Sequence, residues 1–233
     1  MIETRITPVD VEASIDRVRL QIAQAAAGAG RAPSEITIVA VTKSVSRSAL
    51  DLAYAAGLRH FGENRVQDAR RKFAVPLPPD ATLHMIGQLQ SNKARHAVEL
   101  FDCVESVDRQ SLIHELERHA AGRGIRLPVL IQVNVAGEDQ KAGCHPSETG
   151  KLAALVLAQP HLELRGLMTI APLVVDPEGA RPVFRRLREL RDRLQTSLPR
   201  SCLSVLSMGM TNDFQIAIEE GATHVRIGRA IFG

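Results

Sequence analysis

Apolar stretches with helical spacing alternate along the chain with short apolar runs that suit buried strands. Residues 9–27 predict an opening helix, because Val11, Ile15 and Val18 recur three and four positions apart. The run ITIVAVTK at 36–43 is apolar almost throughout and rich in β-branched residues, which is typical of a parallel strand covered on both faces. The chain therefore opens with a helix followed by a strand.

This alternation continues to the end of the chain without a proline-rich linker. The expected strands are 36–43, 58–62, 83–87, 101–107, 129–135, 162–170, 203–208 and 224–228. The helices expected between them are 47–56, 64–73, 91–99, 109–121, 147–158, 178–195 and 212–220. Such repeats predict parallel βαβ units with right-handed crossovers, and eight units close a barrel. We therefore expect one domain over residues 1–233, an α/β protein with a single (β/α)8 TIM barrel.

A doubly wound open sheet would show the same alternation of strands and helices. Dinucleotide-binding sheets of that kind carry a glycine-rich turn after the first strand. The corresponding segment here, TKSVSRS at 42–48, contains no glycine. The open sheet thus loses its best support, and the barrel is favoured.

Composition and charge indicate the class of protein and the kind of ligand, but they say little about the reaction. The chain has 233 residues, of which 45% are hydrophobic and 24% charged, within the range of ordinary globular proteins. A formal net charge of +3 mildly favours anionic ligands, but its charges are too dispersed for a dedicated nucleic-acid binder. The arginine-rich segment 181–194 carries leucines at helical spacing, which indicates one face of an amphipathic helix.

Other signals favour a cytoplasmic protein without a metal. The three cysteines show no paired spacing, the histidines share no metal-ligand spacing, and no run approaches the roughly 18 apolar residues of a membrane span. The N-terminal residues also lack the pattern of a secretory signal. A reducing compartment is expected, with neither membrane nor nucleic-acid partners, and a barrel of this size can be stable as a monomer.

In a barrel of this class, the working groups lie at the carboxyl ends of the strands. The first strand ends in Lys43 after an apolar run, where poor hydration would favour a neutral, nucleophilic amine able to form a Schiff base. A lysine that snorkels from the strand end into solvent explains the same position equally well.

The last two strands lead into segments suited to an anion. Loops after strands seven and eight form the usual phosphate site of this fold. Here they contain Ser207, Gly209 and Thr211 after one strand, and Arg226 and Gly228 at the end of the other. The alternative is that both glycines serve only tight turns and that Arg226 pairs with a carboxylate in the core.

A nucleophilic lysine opposite a phosphate site suits a ligand with both an aldehyde and a phosphate, such as pyridoxal 5′-phosphate. At this point the chain closely resembles the YggS/PROSC family of pyridoxal phosphate homeostasis proteins. The resemblance rests on AVTKS (40–44), HFGENRVQDA (60–69), HMIGQLQSNK (84–93), ESVDR (105–109), IQVNVAGEDQKAG (131–143), LRGLMTIAP (164–172), LSMGMTNDF (206–214) and HVRIGRAIFG (224–233). These blocks span nearly the whole chain.

The resemblance implies a barrel similar to the N-terminal domain of alanine racemase, with the cofactor bound as an internal aldimine. The implied roles are an aldimine lysine, a phosphate site, a cation at the pyridine nitrogen and contacts to the ring. Lys43 is the implied aldimine lysine, and Arg226 is the implied cation at the pyridine nitrogen. The implied phosphate site comprises Ser207, Gly209, Thr211 and Gly228, with Arg229. The implied contacts to the ring are Asn64 and Met168. A cation at the ring nitrogen weakens the cofactor as an electron sink, which favours holding it over using it.

The resemblance also implies a carrier that releases the cofactor to apo-enzymes. An amino-acid racemase of this type needs a tyrosine from a second domain, and the single tyrosine here, Tyr54, falls in a predicted helix. A racemase-like enzyme remains the alternative, followed by a Schiff-base aldolase and, last, a nucleic-acid binder. Many relatives carry a second lysine where this chain has Val45, while Lys141 is a candidate secondary acceptor. Glu63 is interpreted as an acidic residue at the start of a helix, where a negative charge is favourable, rather than as an acid in the pocket.

Overall fold

Eight parallel strands close into a barrel in chain order in the computed structural model, which describes residues 8–138, 142–198 and 203–233. The strands are β1 (Thr37–Val41), β2 (His60–Glu63), β3 (Thr82–Met85), β4 (Cys103–Val107), β5 (Leu127–Gln132), β6 (Leu162–Met168), β7 (Val205–Met210) and β8 (His224–Ile227). Strand β1 pairs with β8 as well as with β2, which completes the ring. The predicted (β/α)8 barrel is confirmed.

Helices follow the strands as the periodicity predicts. They are α1 (Pro8–Gly28), α2 (Arg47–Ala55), α3 (Val66–Lys72), α4 (Ala94–Leu100), α5 (Gln110–Arg123), α6 (Thr149–Leu157), α7 (Arg181–Ser197), α8 (Phe214–Glu219) and α9 (Arg229–Phe232). The last of these was not predicted, because four residues are too few to show a helical period. No helix among the described residues has the length and apolar character needed to cross a membrane.

The opening helix covers the outside of the barrel beside its seam. Helix α1 packs against α2, α8 and α9, and the predicted apolar face, including Val11, Ile15 and Val18, is buried. Burying a side chain of this size contributes about 1.5–3 kcal/mol. The apolar spacing therefore predicted both the helix and the side that faces the core.

Helix α7 accounts for the arginine-rich segment. Its leucines are buried as the spacing predicts, and its arginines turn toward one nearly buried carboxylate, Glu220, beyond the end of α8. Arg185 and Arg188 lie 2.9 and 3.1 Å from the Glu220 oxygens, and Arg181 lies 3.2 Å away. These arginines tie two helices together.

Two strand ends differ from the prediction, and both differences affect the candidate site. Strand β1 ends at Val41 rather than at residue 43, so Lys43 lies in the turn beyond the strand. Strand β7 covers Val205–Met210 rather than 203–208, which moves Ser207 to the middle of a strand. The apolar pattern could not fix these ends, because the polar residues near them are held by pairing with neighbouring strands.

Candidate functional site

A pocket of about 230 Å³ opens at the carboxyl ends of the strands, where β1, β6, β7 and β8 lead into their loops. Lys43, Thr211, Arg226 and Gly228 all contribute to its wall. The other lining residues are Val41, Pro172, Leu173, Val174, Pro177, Met210, Asn212, Asp213 and Arg229. Five residues named from the sequence, these four and Arg229, thus meet in one place.

The lysine turn has a well-defined backbone geometry. The Val45 N–H donates to the Thr42 carbonyl at 3.0 Å, which closes a tight turn around Lys43 and Ser44. Ser44 has a φ of 62°, a left-handed conformation that costs a residue other than glycine about 1 kcal/mol or more. The Lys43 side chain is exposed, so the expectation of a poorly hydrated amine is wrong in this structure. The turn carries the amine beyond the apolar strand to the rim of the pocket.

Opposite the lysine, backbone donors converge from two loops. The backbone N–H groups of Thr211, Asn212, Gly228 and Arg229 have no hydrogen-bond acceptor among the described residues. Asp213 is the one carboxylate among the described residues of the wall, and it is turned inward, where its Oδ1 accepts the Met210 N–H at 2.6 Å. Burial raises the pKa of Asp213 above its ordinary value, with the Met210 hydrogen bond opposing that shift. The wall therefore offers an anion several donors and a largely occupied carboxylate.

The two candidate glycines have different structural reasons. Gly209 has a φ of +90°, and an added Cβ would lie 2.5 Å from the Ala217 Cβ and 2.9 Å from the Phe214 Cα. Backbone conformation and packing are therefore sufficient to explain Gly209, which lies within β7 and does not line the pocket. At Gly228 an added Cβ would make only an ordinary contact, 3.4 Å from Val41, and φ is −114°. Packing does not require Gly228, although it lines the pocket.

Arg226 reaches the pocket from inside the barrel and is nearly fully buried. Its guanidinium donates to the Ser207 hydroxyl at 2.6 Å and to the Thr169 carbonyl at 2.7 Å, while Ser207 donates to Glu105 at 2.6 Å. Burial lowers the pKa of Arg226 below its ordinary value, and the Glu105 carboxylate opposes that shift. Arg226 therefore reaches a core carboxylate, Glu105, indirectly through Ser207. It also borders the pocket.

This placement changes the role expected of Ser207. Ser207 is fully buried and engaged with Glu105 and Arg226, so it does not line the pocket with Lys43. The physical reason is the position of β7, whose strand continues to Met210 and leaves Thr211 as the hydroxyl at the mouth.

The buried network continues toward the opposite end of the barrel. Glu105 also contacts His84 Nδ1 at 2.7 Å, and His84 Nε2 lies 3.0 Å from His60 Nδ1. Burial would raise the pKa of Glu105, but the His84 hydrogen bond and the charges of His84 and Arg226 hold it at about 2. Burial lowers the pKa of His60 and of His224 to about 4.

Glu105 and His84 were not predicted from the sequence as parts of this network. A signal was present in CVESV, where Cys103, Glu105 and Val107 point to one face of the strand. A charged residue on an inward face requires a partner. The sequence could not show that the partners come from β3, β7 and β8.

The two residues expected near the cofactor ring do not line this pocket. Met168 is the last residue of β6 and is fully buried. Asn64 lies in a neighbouring polar pocket after β2 and β3, together with Arg65, Gln88 and Lys93. Lys141 lies outside the described residues.

Glu63 is neither exposed nor at a helix start, so that interpretation is wrong. It is the last residue of β2 and is 1% exposed. Its Oε1 accepts the Thr42 hydroxyl at 2.7 Å and pairs with Lys72 Nζ at 2.5 Å. The helix that follows, α3, begins only at Val66.

Comparison with known proteins agrees with the fold. The family model for the N-terminal domain of alanine racemase matches residues 14–233. A pyridoxal phosphate homeostasis protein of Aquifex aeolicus is 41% identical over 219 residues, which cover 94% of this chain and 96% of the relative. The chain belongs to the pyridoxal phosphate homeostasis protein family. The resemblance seen in the sequence blocks is therefore confirmed.

Solved structures also resemble this chain in both sequence and fold. PipY of Synechococcus elongatus without PLP is 38% identical, with a TM-score of 0.87 and coverage of 96% of this chain and 100% of PipY. PipY with PLP bound is 39% identical, with a TM-score of 0.80 and coverage of 91% and 100%. The fold of this family member is thus shared with a protein seen both with and without the cofactor.

Proposed function

We propose that the protein binds pyridoxal 5′-phosphate in the pocket of Lys43 and acts in intracellular homeostasis of the cofactor. The supporting observation is that a primary amine and a cluster of anion donors face one pocket from different strands. Pyridoxal phosphate supplies an aldehyde that condenses reversibly with an amine to form a Schiff base, and its phosphate needs donors at the far end.

The chemistry of the pocket wall fits both ends of this ligand. Thr211, Gly228 and Arg229 supply hydroxyl, backbone and cationic donors. Because Gly228 has no side chain, its backbone is open to a phosphate. Val41, Pro172 and Leu173 supply apolar surface suited to a ring. Of the five N–H groups that a guanidinium carries, Arg226 uses two for Ser207 and Thr169. The remaining groups are suited to a ring nitrogen.

A carrier role suits the pocket better than an amino-acid racemase. The pocket lining described above contains no tyrosine, histidine or cysteine that could serve as a second base. Tyr54 instead donates its hydroxyl to Asp80 at 2.6 Å on the outer side of the barrel. A buried cation at the ring nitrogen would also oppose protonation there. We infer that the protein holds the cofactor and releases it to apo-enzymes, acting as a monomer in the cytoplasm.

The proposal is tested by the visible absorption spectrum of the protein with added pyridoxal phosphate. The wild type is expected to develop a Schiff-base band that Lys43→Ala lacks, because Lys43 is the only lysine among the described residues that line this pocket. Borohydride reduction and peptide mapping should place the adduct on Lys43. The matched control Lys151→Ala, which removes an exposed lysine on α6, should keep the band.

An adduct scattered over surface lysines, or a band that persists in Lys43→Ala, would reject this site. If no band forms, phosphorylated sugars become the next ligands to test in the same pocket. Turnover assays with D- and L-amino acids separate the carrier from an enzyme, since a carrier predicts no sustained turnover by the loaded protein.

A further inference from the structure

A buried ion pair lies directly behind the lysine turn. Glu63 ends β2, and Lys72 is the last residue of α3, with side chains 1% and 12% exposed. Lys72 Nζ lies 2.5 Å from Glu63 Oε1 and also donates to the Thr42 carbonyl. Glu63 Oε1 in turn accepts the Thr42 hydroxyl at 2.7 Å. The hydroxyl and the carbonyl of Thr42 are therefore both held by this pair.

Stability alone does not explain an ion pair in this position. Removing two charges from water is costly, and apolar side chains of similar volume often serve a core equally well. Among the described residues, the two side chains form hydrogen bonds outside the pair only with Thr42, which is adjacent to Lys43. Its contacts therefore concern the turn that carries the lysine.

The same turn contains a backbone conformation that needs support. The Thr42 carbonyl that accepts Lys72 also accepts the Val45 N–H, and between them Ser44 has its left-handed φ of 62°. Strained residues of this kind persist where the surroundings hold them, and they concentrate at functional sites. Fixing Thr42 on its other side limits the orientations available to Lys43.

We propose that the Glu63–Lys72 pair is a positioning device, which holds Thr42 so that the turn presents the Lys43 amine to the pocket. Glu63 and Lys72 are positioning residues, because neither lines the pocket that contains Lys43. This inference rests on the proposed function, since it concerns how Lys43 meets the aldehyde of pyridoxal phosphate.

The first test compares Lys72→Met with the matched control Lys151→Met. The measured quantity is the rate at which the Schiff-base band appears at a fixed concentration of pyridoxal phosphate. Lys72→Met is expected to slow this rate by about tenfold, because a poorly oriented amine reaches the aldehyde less often. The control should react at the wild-type rate, and Lys72→Arg, which keeps donors at this position, should restore part of it.

A second measurement separates positioning from a general structural effect. In a Lys43→Ala background, pyridoxal phosphate binds without the covalent bond to Lys43, and equilibrium dialysis measures that affinity. If the pair acts through Lys43, adding Lys72→Met to this background leaves the dissociation constant unchanged within about twofold. An equal loss of affinity in both backgrounds would overturn the proposal.

Lys72→Met leaves the buried carboxylate of Glu63 unpaired and could therefore impair folding. The double variant Glu63→Gln/Lys72→Met removes both charges, and thermal denaturation followed by circular dichroism checks that it folds. It should show the same slowing as Lys72→Met. Wild-type rates in this folded double variant would overturn the positioning role. A wild-type protein that forms no adduct on Lys43 would instead reject the proposed function itself.

Discussion

Gly209 lies within β7 and Gly228 follows β8, and they are expected to respond differently to the same substitution. Gly209→Ala should lower the free energy of unfolding by about 2–4 kcal/mol, because it combines a left-handed φ with a backbone clash. Gly228→Ala should cost less than about 1 kcal/mol, since its Cβ makes only an ordinary contact. Urea denaturation measures both.

For binding of pyridoxal phosphate, the order is expected to reverse, with Gly228→Ala the more harmful substitution. Gly228→Ala is expected to weaken binding of pyridoxal phosphate, because the methyl group stands between the backbone and the phosphate. If Gly228→Ala binds the cofactor as the wild type does, the phosphate does not approach this backbone. An unchanged unfolding free energy for Gly209→Ala would contradict the packing explanation of that glycine.

The predicted pocket residues also show which side-chain positions the sequence could predict and which it could not. Lys43, Thr211, Arg226 and Gly228 follow from their places at strand ends and lie together in the structure. Ser207 was expected beside them, but its strand extends two residues further and buries it. A shift of a strand end by two residues is enough to move a side chain from the mouth to the interior.

Among the elements, α7 and α8 are joined by a concentrated charge interaction. Glu220 is 4% exposed and lies within 3.2 Å of Arg181, Arg185 and Arg188. Burial raises the pKa of Glu220, but the arginine hydrogen bonds outweigh it and keep that pKa below the ordinary value. The carboxylate is thus the common partner of a cationic helix face.

Glu220→Gln is expected to lower the free energy of unfolding by about 1–3 kcal/mol, because three arginines lose their shared countercharge. Thermal or urea denaturation at neutral pH measures the loss. The control is Glu178→Gln, which removes a more exposed partner of Arg181 and should lower the free energy of unfolding much less. Equal losses in the two variants would show that burial of Glu220 adds nothing.

The elements themselves were largely predictable. Continuous apolar runs identified the strands, and three-and-four spacing identified the long helices, because both patterns reflect burial along a single segment. Helix α9 and the ends of β1 and β7 were not predictable in this way. Their limits depend on hydrogen bonds with segments far away in the chain.

Across the whole molecule, side-chain hydrogen bonds link one end of the barrel to its mouth. The chain of contacts runs from His60 through His84, Glu105 and Ser207 to Arg226. His224 lies beside the two histidines, with ring centroids 6.2 Å from each. Acid conditions should disturb this interior before they affect the exposed surface.

Stability is therefore expected to fall as the pH decreases from about 6.5 to 4. The pKa values of His60 and His224 are about 4 in the folded protein, below the ordinary 6.5, so the unfolded chain binds more protons in this window. Their contribution is complete above pH 6.5 and is lost as the pH approaches 4. For His224, the more buried of the two, we expect roughly 1–3 kcal/mol.

Thermal denaturation between pH 4 and pH 7.5 measures this dependence. His224→Gln should flatten the dependence of stability on pH, whatever its effect at neutral pH. His114→Gln, which removes an exposed histidine on α5, should retain the wild-type slope. A wild-type slope in His224→Gln would mean that this ring is not desolvated as the fold indicates.

The sequence by itself determined the barrel, the family and which strands carry pocket residues near their carboxyl ends, although not where β1 and β7 end. Periodicity reports burial within one segment, and the topology of a parallel barrel brings its strand ends together. The partners inside the barrel were decided by tertiary structure, because Ser207 and Glu105 are 102 positions apart and meet only when the ring closes. The support of Lys43 by Glu63 and Lys72 likewise depends on how α3 returns against β1, which no local pattern encodes.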